Sequence, residues 1–143
     1  MPDLTLAQAQ ALATATLAEA RTLSLKPLVV AVLDARGTYK ALLAEDGTSL
    51  RRAEIAYGKA HGALGMGLGS RAIAARAEQA PAFVAAVTHA FGGALVPVPG
   101  GILLRDASGT LLGAIGVSGD TSDNDEKAAL AAIRVVGLVG ETG

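Results

Sequence analysis

Apolar positions recur at helical spacing from Thr5 to Leu23, where Leu6, Ala9, Ala13, Leu17 and Ala20 share a face. Thr5 followed three residues later by Gln8 predicts a capping box at its start. The pattern then changes. Leu28–Leu33 is a continuous apolar strand after Pro27, Asp34-Ala35-Arg36-Gly37 is a turn, and Thr38–Ala44 returns as a second strand. Glu45-Asp46-Gly47-Thr48 breaks it, and Thr48 or Ser49 is expected to cap a long second helix reaching about Gly67. Ser70–Glu78 predicts a short helix ended by Gln79-Ala80-Pro81, with a further turn or two up to Ala90 and a break at Gly92-Gly93. Two apolar runs, Ile102–Leu104 and Leu111–Val117, flank Asp106-Ala107-Ser108-Gly109 and predict a hairpin. Asp123–Val139 closes the chain as a helix stopped at Gly140.

The order αββαα-βββα, with strands paired antiparallel, predicts an α+β fold: a single antiparallel five-stranded sheet flanked by helices, formed as one domain over residues 1–143. Two glycine patterns stand out. Gly100-Gly101 precedes the hairpin's first strand and Gly116-Val117-Ser118-Gly119 ends its second, so both corners fall at the same end. They form either two tight turns or the mouth of a pocket. Gly58, Gly62, Gly65 and Gly69 lie on one face of the second helix, where each interior glycine costs about 1 kcal/mol relative to alanine. Close packing on protein would offset that cost; so would close approach of a flat ligand, and the helix could instead end near Gly65.

Composition narrows the function classes. Hydrophobic residues make up 51% of the 143, but aromatics only 3%. A core of Ala, Val and Leu buries little area per residue, so further burial between subunits is expected, as a homo-oligomer larger than a dimer. Net charge is −1 and no basic run exists, which argues against a nucleic-acid partner. Mean hydropathy is +0.44, yet no apolar run approaches the roughly 18 residues of a membrane span. The N-terminus reads as no signal peptide, and a cytoplasmic location is the expectation. With no cysteine, disulfides, thiolate catalysis and cysteine-ligated metals are all excluded.

Chemistry-bearing residues are few. His61 and His89 form no HExxH pattern, so a zinc hydrolase is unsupported and no metal site is predicted. Ser118 sits in an incomplete G-x-S-x-G, because Asp120 takes the last position. Asp120, Ser122 and Asn124 have calcium-loop spacing, but the loop lacks glycine at its sixth position and has Ala131 at its twelfth. Backbone N–H groups of residues 119–123 could form an anion nest, were Asp120, Asp123, Asp125 and Glu126 not crowded there.

The chain also resembles a known family. Pro97-Val98-Pro99-Gly100-Gly101, then Gly-Thr-Leu-Leu-Gly-Ala-Ile-Gly-Val-Ser-Gly at 109–119, then a helix opening with Asp125-Glu126, is similar to the C-terminal signature of the GlcG/HbpS family. That family of haem-binding and haem-degrading proteins includes the C-terminal domain of PduO-type proteins. Val30–Asp34 with Gly37, Glu45-Asp46-Gly47, and Ala53–Ala56 with Lys59-Ala60 extend the likeness over nearly the whole chain, although Leu103 stands where the family has proline. The resemblance implies a profilin-like fold and a small ligand, haem or another tetrapyrrole. Ligand contacts are then expected from Lys59, Gly100, Gly101, Gly116, Val117, Ser118 and Gly119, with Lys59 pairing a propionate or other carboxylate. Axial candidates are His61, His89 and Tyr57, with Tyr39 and Met66 behind them. The supply of strong axial ligands is thin, so any haem binding is expected to be weak or substoichiometric. Two alternatives stay open: a cofactor-free isomerase, lyase or hydrolase acting on a small carboxylate through Lys59 and Glu54, and a structural oligomer without ligand.

Overall fold

The computed structural model describes residues 3–143. Thr5 caps α1 (Leu6–Thr22): Gln8 N–H donates to Thr5 Oγ1 at 3.1 Å, and Thr5 N–H donates to Gln8 Oε1 at 3.0 Å, the reciprocal box expected from the sequence. Strands β1 (Val29–Asp34) and β2 (Tyr39–Ala44) form a first hairpin. Helices α2 (Arg52–Met66), α3 (Ser70–Gln79) and α4 (Pro81–Ala90) follow, then the hairpin of β3 (Gly101–Arg105) and β4 (Leu111–Ser118). Helix α5 (Ser122–Val135) and the short β5 (Val139–Glu141) end the chain. The sheet runs β2-β1-β4-β3-β5, antiparallel throughout, so the α+β expectation holds.

Alternation along the strands builds two unlike faces. Val30, Val32, Ile102, Leu104, Ile115 and Val117 pack with Leu12, Ala13, Ala129 and Ile133 of α1 and α5 into the main core. The opposite face carries smaller side chains. Ala31, Ala114, Gly101 and Gly116 lie there with Val29, Leu33 and Leu103, and α2 comes down onto them. The approach is close enough that a Cβ on Gly116 would overlap the Ala56 carbonyl oxygen, and one on Gly101 would overlap that of Lys59. These glycines let α2 rest its backbone on the sheet.

Three local expectations change. Neither Thr48 nor Ser49 caps α2, whose N-cap is Arg51; Thr48 Oγ1 donates instead to Glu45 O, and Ser49 Oγ accepts from Arg52 Nε. Pro81–Ala90 is a full ten-residue helix, since Pro81 takes the N-terminal position that needs no N–H partner. The last helix stops four residues before the expected Val139. Gly137 turns at φ +78°, and Leu138 N–H donates back to Ile133 O. That reversal sends Val139–Glu141 along the open edge of β3, so the fifth strand follows the last helix rather than preceding it.

The glycine stripe packs inside the chain. A Cβ on Gly58 would meet Val96, on Gly62 Leu95, on Gly65 Phe91, and on Gly69 the backbone of Thr142. Residues 91–96 thus lie in the groove that the missing side chains leave along α2. Gly58, Gly62 and Gly69 are buried within one chain, while Gly65 stays exposed beside Phe91. No helix among the described residues is long and apolar enough to cross a membrane.

Candidate functional site

The two glycine corners do meet. Gly101 pairs with Gly116 across the hairpin, and Val117 N–H donates to Gly100 O. Lys59 reaches the same point from α2, donating from Nζ to Val117 O at 2.8 Å. Sequence expectation and geometry agree on this convergence, but the space between is filled. Lys59 is 1% exposed, and its ammonium forms an ion pair at 3.1 Å with Asp125 Oδ2, itself 1% exposed. Burial pulls the Lys59 pKa down and pushes that of Asp125 up, with each partner's charge opposing the shift. Asp125 Oδ1 also accepts from Asp120 N–H at 2.9 Å, so the pair ties α2 to the end of β4 and the start of α5.

Glu54 and Lys59 are not brought together. Glu54 pairs at 2.6 Å with Arg51 on the surface, while Lys59 faces the interior. An acid–base couple between them is therefore not assembled in the chain. Ser118 is buried, and its Oγ accepts from Arg52 Nη1 at 3.1 Å.

The axial candidates separate clearly. His89 is exposed on the last turn of α4. Met66 is half-buried in the apolar cluster of Ile73, Val84 and Leu95. Tyr39, Tyr57 and His61 instead form a stack along the outside of α2. Ring centroids are 4.9 Å apart from Tyr39 to Tyr57 and 5.1 Å from Tyr57 to His61, and Phe91 meets the imidazole edge-on at 5.9 Å. His61 Nδ1 lies 2.8 Å from Ala94 O. A carbonyl oxygen only accepts, so Nδ1 of the neutral ring carries the proton and Nε2 keeps its lone pair. Nε2 has no hydrogen bond among the described residues, and it is not sealed from solvent. The imidazole lines a shallow cavity of about 180 Å³ with Arg36, Gly37, Leu64 and Gly65. Arg36 stands on the rim, 80% exposed and 3.6 Å from Asp34.

Asp125, Arg52, Ala94 and Phe91 were not expected in these roles. Tyr57 and His61, four apart on α2, had a local signal; the other partners come from distant segments and had none. One consequence is testable at low pH. Asp120 accepts from the N–H groups of Lys26 and Thr121 and from the Asn124 amide, which hold its pKa near about 2 against an ordinary 3.8. The folded value is depressed, so this contribution is complete above about pH 4 and lost as pH falls through about 2. After allowance for solvent screening it is of order 1 kcal/mol. Urea midpoints of wild type and Asp120→Asn should converge over that window; a constant gap down to pH 2 would contradict the assignment.

A single antiparallel sheet with α2 on one face and α1 with α5 on the other defines the architectural class, and sequence comparison defines the family. The family model for "haem degrading protein HbpS-like" matches residues 4–134, and the chain belongs to that family. No curated protein matches it. Among solved structures it is similar to a PduOC–haem complex, with 26% identity, TM-score 0.85, and 96% of this chain and 97% of that chain covered. It is also similar to HbpS, with 30% identity, TM-score 0.81, and 96% and 92% covered. A double mutant of Streptomyces reticuli HbpS aligns at 29% identity and TM-score 0.81, covering 96% of this chain and 89% of that one.

Proposed function

We propose that the chain binds haem or a related tetrapyrrole through His61 and does so as a homo-oligomer larger than a dimer. The observation that carries the reading is the histidine's posture. Nδ1–H is fixed on the Ala94 carbonyl, Tyr57 and Phe91 hold the ring plane, and Nε2 faces out with its lone pair free. A ligating histidine commonly has this arrangement, because the outer hydrogen bond sets both tautomer and orientation. Arg36 on the cavity rim suits a propionate, and the HbpS-like membership and the similarity to a PduOC–haem complex support the choice of macrocycle. When bound, the macrocycle supplies a redox-active iron; the chain supplies the axial nitrogen, the flanking aromatic rings and a cation.

The donor set fits haem, while the cavity of one chain does not enclose it. About 180 Å³ is less than the roughly 300–1,000 Å³ of pockets that bury most of a ligand. A single chain would leave most of the macrocycle in water, which favours weak binding. Titration with haem should give a saturable Soret change; absence of any change overturns the reading.

Self-association is supported by apolar side chains at the open edge of the sheet. Among the described residues strand β2 has no partner on its outer side, and Tyr39, Leu42 and Leu43 on it are 48%, 45% and 38% exposed. Light scattering should return a mass more than twice the 14.2 kDa of one chain, and Leu42→Glu/Leu43→Glu should lower it. A 14.2 kDa species at micromolar concentration would refute the oligomer.

A further inference from the structure

On the opposite side of α2 lies a second polar cleft. It measures about 220 Å³, and Lys26, Thr48, Ser49, Arg52 and Gly119 are among its lining residues. His61 is nine positions after Arg52, which places them roughly 14 Å apart along the helix and about 180° around it. The cleft is therefore independent of the proposed haem surface.

Arg52 is its centre. The guanidinium donates from Nε to Ser49 Oγ at 3.2 Å and from Nη1 to Ser118 Oγ at 3.1 Å. Both partners are neutral hydroxyls. Of five N–H donors, three have no hydrogen bond among the described residues. Neighbouring Arg51 pairs with Glu54, and Arg21, Arg36, Arg71 and Arg105 also have carboxylate partners. Half-buried Arg52 has none among the described residues, although it is oriented by two hydroxyls. Burial is the main cause that lowers the Lys59 pKa, and the positive charge of Arg52 adds to it in the same direction.

The wall opposite Arg52 is held in place. Lys59 Nζ grips Val117 O, and Asp125 grips Asp120 N–H, so Ser118 and Gly119 lie between two anchored positions. Gly119 has no side chain to block the cleft, and a Cβ there would overlap the Pro27 carbonyl oxygen. Ser49 Oγ accepts from Arg52, leaving its O–H free to donate.

From this geometry we infer that the Arg52 cleft binds a small monocarboxylate. The carboxylate would receive N–H groups of Arg52 and the Ser49 hydroxyl, with Lys26 adding charge at the rim. Asp120 argues for a monoanion over phosphate. Its carboxylate is bonded to the N–H of Lys26, next to Gly119 in the chain, and stays ionised at neutral pH. A second negative charge on the ligand would meet that fixed charge. The volume suits an acid of a few heavy atoms.

Calorimetry and amide NMR on the full chain, with acetate, lactate, butyrate and inorganic phosphate as probes, test the inference. Saturable binding of at least one monocarboxylate is expected, with shifts centred on the amides of Ser49, Arg52 and Gly119. Arg52→Gln should weaken it roughly tenfold or more, the loss expected for a charge-assisted contact, while Arg51→Gln should not. The amide shifts in wild type locate the site even if Arg52→Gln is poorly folded. The Soret response to haem should be unchanged in a folded Arg52→Gln, which separates failure of this site from failure of the haem reading. Tighter binding of phosphate than of every carboxylate, shifts centred elsewhere, or equal affinity in Arg52→Gln would each overturn it.

Discussion

Asp125→Ala should destabilise the protein by roughly 3–5 kcal/mol, the usual cost of removing one member of a buried ion pair. Without the carboxylate, the Lys59 ammonium would keep only the Val117 carbonyl as a partner in a region where water does not replace the lost charge. Asp120 N–H would lose its acceptor at the same time. Lys59→Ala should cost a similar amount, since it strands the carboxylate and leaves a void beneath the Gly100 corner. The double variant Lys59→Met/Asp125→Leu separates charge from packing. It removes both charges, keeps most of the volume, and should recover much of the loss. Urea unfolding of the four proteins compares these losses. A loss under about 1 kcal/mol in both single variants would mean that water reaches the pair and that it does not anchor the β4 end.

This pair also shows where the sequence is readable and where it is not. The hairpin was legible because its signals are local. Asp106 Oδ1 accepts from the N–H groups of Ser108 and Thr110, both at 2.9 Å, and Gly109 takes φ +87°, so the turn chemistry sets the register that brings Gly101 to Gly116. The capping box of α1 was legible for the same reason. Strand β5 was not. It is three residues long, includes Gly140, and exists because β3 leaves an edge open beside Ile102 and Ile133. The start of α2 was misread because Thr48 and Ser49 had other hydrogen-bond partners, one of them a side chain of the helix itself.

At the candidate site the divide is the same. Lys59 was singled out through the family resemblance, but Asp125 lies 66 positions away, and only the fold reveals that the ammonium is neutralised internally. The glycine corners read equally well as a ligand mouth or as two tight turns, and the structure uses them to seat a helix. The deciding quantity is the approach of α2, and no local pattern encodes it. Arg52 had no motif at all. Its interest comes from a missing partner, which a sequence cannot display.

His61→Ala should weaken haem binding roughly tenfold or more, equivalent to at least about 1.4 kcal/mol, and should change the Soret band of whatever complex remains. The geometry gives each comparison variant its own outcome. His89→Ala removes an exposed side chain on another helix and should leave both affinity and spectrum unchanged. Tyr57→Ala removes the ring stacked at 5.1 Å on the imidazole, so the ligand is kept but its plane is freed; affinity should fall less than in His61→Ala. Arg36→Gln removes a rim charge and should lower affinity without moving the band, because it touches no axial position. The apparent Kd should also fall with rising protein concentration if neighbouring chains complete the shallow cavity, and haem titrations at several fixed protein concentrations test that dependence. An identical Soret spectrum and affinity in His61→Ala would remove histidine ligation at this site. The aromatic stack from Tyr39 to Phe91 would then act only as packing between α2, β2 and the 91–96 segment.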